Sequence, residues 1–367
     1  FDTDGVFYSI EADAADPHAS YMAYIDSLPL TAAPGVFGMH DNARIASANA
    51  DTFLLCNILL SLQASDSGGG GGGVSKETQI ETIAQGIVDK HIKAFDVEAI
   101  GMMYPVVYEQ SMNTVLLQEC IRYNKLIHFM QDTLPMLVLA LKGLVVMSQE
   151  LEAISNSLFL NTVPDAWANV AYPSMKNLLA WGDDLVERLN FIQNWIDKGI
   201  PATFWISGFY FPQAFLTGSL QNFARKYQIA IDTVAYDFKF MEESWQELSM
   251  PPENGVYIRG LFLEGARWDA EISSLTDSLP KKLYTDVPTI HLVPKQNRVE
   301  PSGGIYRCPV YKILSRRGTL STTGHSTNFV MWIEFPSNRA NFINNEGKSD
   351  QEEWVKAGVA SFTSLMY

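Results

Sequence analysis

The chain has 367 residues, 47% hydrophobic and 12% aromatic, enough for about two domains with ample core. Its 41 acids against 26 bases leave a net charge of −15, which argues against a nucleic-acid binder and against docking on anionic lipid. Three dispersed cysteines, Cys56, Cys120 and Cys308, form neither a disulfide framework nor a zinc knuckle; with no Asn-x-Ser/Thr sequon in the chain, they fit a reducing intracellular compartment.

No signal-peptide pattern opens the sequence and its first residue is Phe, so a piece of a longer polypeptide is expected. Residues 1–48 hold two short aromatic pieces, Val6–Ile10 and Tyr21–Leu28. Pro29, Pro34, Gly35 and Gly38 then predict irregular backbone over Thr31–Asn42. Asp51–Gln63 reads as a helix whose Phe53, Leu54, Cys56, Ile58, Leu59 and Leu62 cover most of its circumference. Six consecutive glycines, Gly68–Gly73, follow. A phosphate-binding loop would continue as Gly-Lys-Ser/Thr; here Val74-Ser75-Lys76-Glu77 comes next, so a surface linker is expected.

From Glu77 to about Tyr227 the period is helical. Leu116, Cys120, Tyr123, Ile127 and Met130 share one face. Leu134, Leu137, Leu141, Leu144, Leu151 and Ile154 predict a second helix, with Asp132 or Thr133 as its N-cap and Pro135 in its first turn. The longest apolar run, Leu134 to Met147, contains Lys142 and falls short of the roughly 20 residues a bilayer span needs. Leu178, Leu185, Leu189, Ile192 and Ile196 predict a third helix, stopped by Gly199 and Pro201. Pro212 opens a fourth, with Leu216, Leu220, Phe223 and Tyr227 inward. Short turns between such helices imply antiparallel packing.

Then the period becomes two. Val234, Tyr236, Phe238 and Phe240 alternate with Ala235, Asp237 and Lys239. Val256–Leu263, Pro288–Val293, Tyr306–Leu314 and Phe329–Phe335 are further strand candidates, and Gln351–Phe362 a closing helix. The expected class is α+β: an antiparallel helical layer, then a small antiparallel β-barrel or sandwich and a short C-terminal helix.

No chemistry-bearing set emerges. The six histidines include neither a zinc-helix pair nor HExxH. His128 and His291 read as satisfied, partly buried residues. His325, in the polar stretch Gly318–Asn328, could join a serine and a carboxylate as a nucleophilic set, but no GxSxG elbow is present and a hydrogen-bonded turn explains it. Acid pairs Asp183/Asp184, Glu242/Glu243 and Glu352/Glu353 read as solvated faces. In Glu264–Asp269, Arg267 stacked on Trp268 and paired with a carboxylate would stiffen a turn or present a docking point. Basic pairs Arg225/Lys226, Lys281/Lys282 and Arg316/Arg317 form no stripe. No catalytic, cofactor-binding or metal residues are assigned, and no nucleic-acid or membrane partner.

Four internal strings, Val36–Ala43, Lys142–Ser148, Gly208–Tyr227 and Gly255–Trp268, together with Arg316–Asn328, resemble the C-terminal region of axonemal dynein heavy chains, in family order over about residues 36 to 362. The resemblance implies that residues 1–48 end the small helical subdomain of the sixth AAA+ module, that 49–230 form the helical part of the C-terminal domain, and that 231–367 form its small β-barrel. It implies a domain lying across one face of a motor ring whose ATP sites and microtubule-binding stalk are elsewhere, in an axoneme. The six-glycine tract and Asn341–Gln351 depart from the family pattern and read as local loops. Two functions follow: a non-catalytic regulatory cap on the ring modules of the same heavy chain, contacting them through the apolar faces of Leu178–Ile196 and Leu216–Tyr227, or a docking module for axonemal accessory proteins using Glu264–Asp269 and Gly318–Asn328 as exposed loops. An independent hydrolase built on His325 is the third.

Overall fold

A computed structural model describes residues 15–28, 33–66, 75–90, 92–299, 304–316, 318, 327–337 and 350–366. Val6–Ile10, the glycine tract and His325 lie outside the described residues.

The first helix, α1 (Pro17–Ser27), starts where Asp16 accepts a hydrogen bond from the Ala19 amide at 3.0 Å and Pro17 fills the first turn. A short 3-10 turn, Pro34–Phe37, interrupts the expected irregular stretch and ends on Gly38. Helix α2 (Asn42–Asp66) begins nine residues before the sequence pattern predicts, because Asn42–Ala50 carries good helix formers without an apolar stripe to reveal them. Helices α3 (Lys76–Val88) and α4 (Val97–Met103) are capped by Ser75 and Asp96.

The largest helical correction is α5 (Ser111–Leu141), one 31-residue helix where two were expected. Pro135 sits in its interior; neither Asp132 nor Thr133 caps a new helix there. Proline removes one intrahelical hydrogen bond, a cost of about 3 kcal/mol in an exposed helix. Here Met130, Leu134 and Leu137 are buried on both sides of it, and that packing keeps the helix continuous. The cap appears one helix later, where Ser148 accepts from the Leu151 amide and starts α6 (Gln149–Phe159). A single turn, α7 (Asp165–Ala168), precedes α8 (Leu178–Lys198), which Asn177 caps and Gly199 ends at φ 86°. After a strand, β1 (Thr203–Trp205), helix α9 (Pro212–Tyr227) begins at its proline as expected.

The remaining sequence is β-rich: β2 (Val234–Phe240), β3 (Val256–Arg259), β4 (Phe262–Glu264), β5 (Ala266–Asp269), β6 (Ser274–Asp277), β7 (Tyr284–Asp286), β8 (Ile290–Gln296), β9 (Ile305–Tyr311), β10 (Phe329–Pro336) and β11 (Ala360–Phe362). A last helix, α10 (Asp350–Lys356), precedes β11, so the expected closing helix stops early: Gly358 at φ 74° turns the backbone into a strand.

These strands do not close into a barrel. They form a four-stranded sheet, β1-β3-β8-β2, a five-stranded sheet, β10-β9-β11-β4-β7, and the β5-β6 hairpin, and each sheet keeps two edges. Nor are they purely antiparallel: β1 runs parallel to β3, and β11 parallel to β9. Gly260 is where the expected Val256–Leu263 strand divides between the two sheets. At φ 88° it reverses the local twist, and a Cβ there would stand 2.4 Å from the Trp205 ring, so only glycine lets the turn close against that indole. Between the β2 and β10 edges no ladder forms. Arg298 fills the seam instead, pairing with Asp237 on β2 and Glu334 on β10. Burial raises the Asp237 pKa, but hydrogen bonds from Lys295 and Arg298 outweigh it, and its carboxyl titrates below the usual range.

One contiguous apolar core runs through helices and sheets alike, from Ile80 through Leu126, Trp181 and Phe215 to Ile290, Cys308 and Trp354. Strand β1 is the covalent reason: it leaves the helical layer and pairs in register with β3, Phe204 opposite Ile258.

Candidate functional site

Two features set this fold apart chemically: a buried ionic hub where the helical and β layers meet, and a long apolar helix that the described residues leave uncovered.

The hub is centred on Arg188, which α8 turns inward one helical turn after Asp184. Arg188 is 3% exposed and Asp184 5%. Nε donates to the Asp184 carboxylate at 2.6 Å, Nη1 donates to the Ser207 carbonyl, and the guanidinium lies 3.9 Å over the Tyr172 ring. Lys176 gives the same carboxylate a second cation at 2.9 Å. Burial favours the neutral acid, but Arg188 and Lys176 outweigh it and hold Asp184 below its usual value. The reading of Asp183/Asp184 as one solvated pair is therefore corrected: Asp183 is exposed and Asp184 is inside. A helical register of 100° per residue separates neighbours that sequence adjacency joins.

The hub continues across the layer boundary. The Ser207 hydroxyl lies 2.8 Å from the Gly260 carbonyl and also bonds the Thr363 carbonyl, so the 206–208 turn holds both the sheet break and the end of β11. The Tyr123 hydroxyl on α5 donates to the Gly208 carbonyl at 2.8 Å. Phe211, at the head of α9, brings no capping side chain of its own. Glu119 on α5 takes that role from a distance: its carboxylate accepts from the Tyr210 and Phe211 amides and from Arg122. Burial pushes the Glu119 pKa up against these three donors. Stacked rings of Trp167, Trp181 and Tyr172 enclose the whole, the first two 6.1 Å apart.

Helix α2 is the opposite case. Phe53, Leu54, Leu55, Ile58 and Leu59 are each between 46% and 60% exposed, and α1 adds Tyr21, Met22 and Ile25. A helix apolar around its circumference needs burial on several sides. What holds α2 here is its first residue. Asn42 is buried; its Nδ2 donates within 2.9 to 3.1 Å of the Ser278 hydroxyl and the Leu279 and Lys282 carbonyls, and its Oδ1 accepts from the Lys281 amide at 2.7 Å. His40 Nδ1 accepts from the Asn42 amide at 3.1 Å. Sequence reading missed this clamp, since a single Asn at a helix start looks like an ordinary cap.

The expected contact faces are largely used inside the domain. Leu178, Leu185, Ile192 and Ile196 on α8 and Leu216 on α9 are buried in the core, Leu189, Leu220 and Phe223 are half-buried, and Tyr227 is exposed. The expected exposed loop Glu264–Asp269 is largely strand: Arg267 pairs with Asp269 at 2.9 Å, Glu264 pairs with Arg316, and Trp268 stacks on Phe240 at 4.3 Å instead of under Arg267. His128 is exposed, not partly buried. His291 is satisfied as expected, its Nε2 2.8 Å from the Asn254 carbonyl, with burial lowering its pKa. Among the described residues no group of three or more His, Cys, Asp or Glu is placed to hold a metal ion, and no helix is long and apolar enough to cross a membrane.

Layered helices joined to open sheets through a buried polar turn define a mixed α+β domain with its polar chemistry locked internally. Comparison with known families gives its kind: the model for the C-terminal domain of dynein heavy chains matches residues 49–363. The protein belongs to that family. It is 49% identical to dynein axonemal heavy chain 1 of Homo sapiens over its whole length, covering 8% of that protein. It is 48% identical to human dynein axonemal heavy chain 3 over 95% of its length, covering 8% of the relative, and 43% identical to human dynein axonemal heavy chain 12, again over 95%, covering 11%. The sequence thus spans about a tenth of the length of these relatives.

Proposed function

We infer that this protein is the non-catalytic C-terminal cap of an axonemal dynein heavy chain in a cilium or flagellum, packing on the AAA+ ring of its own polypeptide and modulating an ATP-driven, microtubule-based motor. The observation that carries this reading is α2: an apolar helix that the described residues leave uncovered, yet clamped at its root by Asn42. Such a surface calls for more protein, and the greater part of the relatives' length is available to provide it. Linkage in one polypeptide makes that contact intramolecular, so it forms at high effective concentration.

A cap biases a ring only by binding one ring state better than another. Two separate links support this role: Asn42 ties α2 to the 278–282 turn between β6 and β7, and the hub joins the helical and β layers through Arg188, Ser207 and Gly260. The domain assignments 1–48, 49–230 and 231–367 belong to this proposal, as does the absence of a reaction centre in the protein itself. Deleting 231–367 from a motor-length heavy chain should change stepping, stall force or the coupling of ATPase to motion. Unchanged single-molecule behaviour defeats the reading, as does nucleotide turnover by the purified protein.

A further inference from the structure

Away from α2, the outer face of α8 and the β-region loops enclose an open cleft of about 870 Å³. Arg259, the last residue of β3, projects at its floor. Its guanidinium lies 3.9 Å over the Trp245 ring and 5.7 Å from that of Trp205. Gly260 seats the backbone against Trp205 so closely that no side chain fits between them, which fixes that wall. Trp245 is held by its own turn, in which Glu247 accepts from the Ser244 amide at 2.7 Å and from its hydroxyl at 2.9 Å.

Arg259 has no ion pair and no hydrogen bond among the described residues, and its Nε is buried without a partner. Burial works against its charge and lowers its pKa, while Glu187 across the cleft favours the charge without bonding it. This is the reverse of Arg188, Arg298 and Arg316, each of which meets a carboxylate. An arginine stacked on tryptophan with its fork unoccupied is pre-organised for a planar, two-oxygen acceptor. The rim has the other sign. Glu187, Glu242, Glu243 and Asp286 line the mouth, with Asn190 and Asn194 along α8. A multiply charged phosphate meets four carboxylates there; a single carboxylate flanked by cations meets Arg259 below and the acids at either side.

We propose that this cleft is a peptide-docking site for a separate protein, taking an extended segment whose one acidic side chain enters the Arg259–Trp245–Trp205 slot while neighbouring lysines or arginines engage Glu242, Glu243 and Glu187. A second protein is the occupant because the composition is that of a transient interface: Trp and Arg at the centre, a charged, solvated rim around them. Permanent interfaces are apolar out to their edges, as α2 is, whereas here an apolar-walled slot, with Phe191, Met241 and Val287 in its lining, is ringed by exposed acids. The net charge of −15 also steers a basic segment toward it.

The test is fluorescence anisotropy of the whole protein with a dye-labelled, capped octapeptide holding one glutamate between two pairs of lysines, run beside its glutamine counterpart. The glutamate peptide should bind about tenfold or more tightly than the glutamine one, and Arg259→Lys should abolish that difference. Charge reversal at exposed positions, Glu242→Lys with Glu243→Lys, should weaken the glutamate peptide about tenfold; this variant keeps the test decisive if Arg259→Lys fails to fold. A motor-length heavy chain should bind the peptide as well as the isolated domain does. Equal affinity for both peptides, no binding at millimolar peptide, indifference to the rim reversal, tighter Arg259-dependent binding of ATP or inorganic phosphate, or loss of the site in the motor-length protein would each overturn the proposal.

Discussion

The hub and helix α2 invert the usual placement of polar and apolar groups. An ion pair sits in the middle of the domain, at Asp184 and Arg188, while leucines and a phenylalanine ring α2 in the open. The difference lies in partners. The Arg188 and Asp184 charges meet each other, Lys176 and the Ser207 carbonyl, and aromatic rings pack against them. A buried pair of this kind is costly to break and gives definition more than net stability. Helix α2 has one buried residue among its described side chains, Asn42, and an apolar surface that the described residues leave open to water. The first region joins the layers of the domain; the second is an apolar surface that the described residues leave open.

The comparison is broken most severely at the hub. Asp184→Ala leaves Arg188 charged and unpaired in the core, and chemical denaturation should show a loss of about 3–5 kcal/mol. Trp181→Ala, which opens a cavity beside Tyr172 and Trp167, should cost a comparable amount, about 3–5 kcal/mol.

The same carboxylate makes the hub acid-sensitive. Asp184 titrates below its usual 3.8 in the folded protein, so its contribution is complete above that value and is lost as pH falls through its lowered folded pKa. Asp184→Asn should therefore flatten the acid limb of stability against pH, although that variant starts from a lower plateau. An acid limb as steep as wild type would place the sensitivity elsewhere, at Asp237 for instance.

Asn42→Ala should act locally. It strips the Lys281 amide of its side-chain acceptor and removes one of the two donors from each of the carbonyls at 279 and 282, which keep the Lys282 amide and the Ser278 hydroxyl, a cost of about 0.5–1.5 kcal/mol. Hydrogen exchange should show faster exchange at Lys281 and through the first turns of α2, while α5 and α8 keep wild-type protection. Leu54→Ser with Leu55→Ser sharpens the contrast from the other side. In the isolated domain these exposed substitutions should shift stability by no more than about 0.5 kcal/mol each. On the proposed packing of α2 against the ring, the same pair should disturb motility in a motor-length heavy chain.

Much of the fold was legible where a residue acts alone on the backbone. Gly199 stops α8 and Pro212 starts α9 as the sequence indicates, and the alternation of Val234 to Phe240 is a strand. The same local logic fails at Pro135, where burial of the flanking leucines overrides a helix breaker, and at Val256–Leu263, where one apolar run serves two sheets. The three-residue strands β1, β7 and β11 are too short to carry a period at all. The hub was illegible because its members come from α5, α8, the 206–208 turn and the C-terminal end, and the helical spacings within it, Glu119 to Tyr123 and Asp184 to Arg188, each join residues of a single helix.

By itself, the sequence determined the helical layer, the change of period near residue 231, the apolar circumference of α2 and the likeness to dynein heavy chains, since propensity, periodicity and residue order are properties of the polypeptide alone. Tertiary structure alone decided that the sheets stay open, that Asp184 is inside while Asp183 is out, that Asn42 clamps a turn more than 230 residues away, and that Arg259 lines a cleft with its Nε unpartnered among the described residues. Those outcomes depend on which distant groups meet, and a pairing across a fold is set by packing geometry that no local stretch encodes.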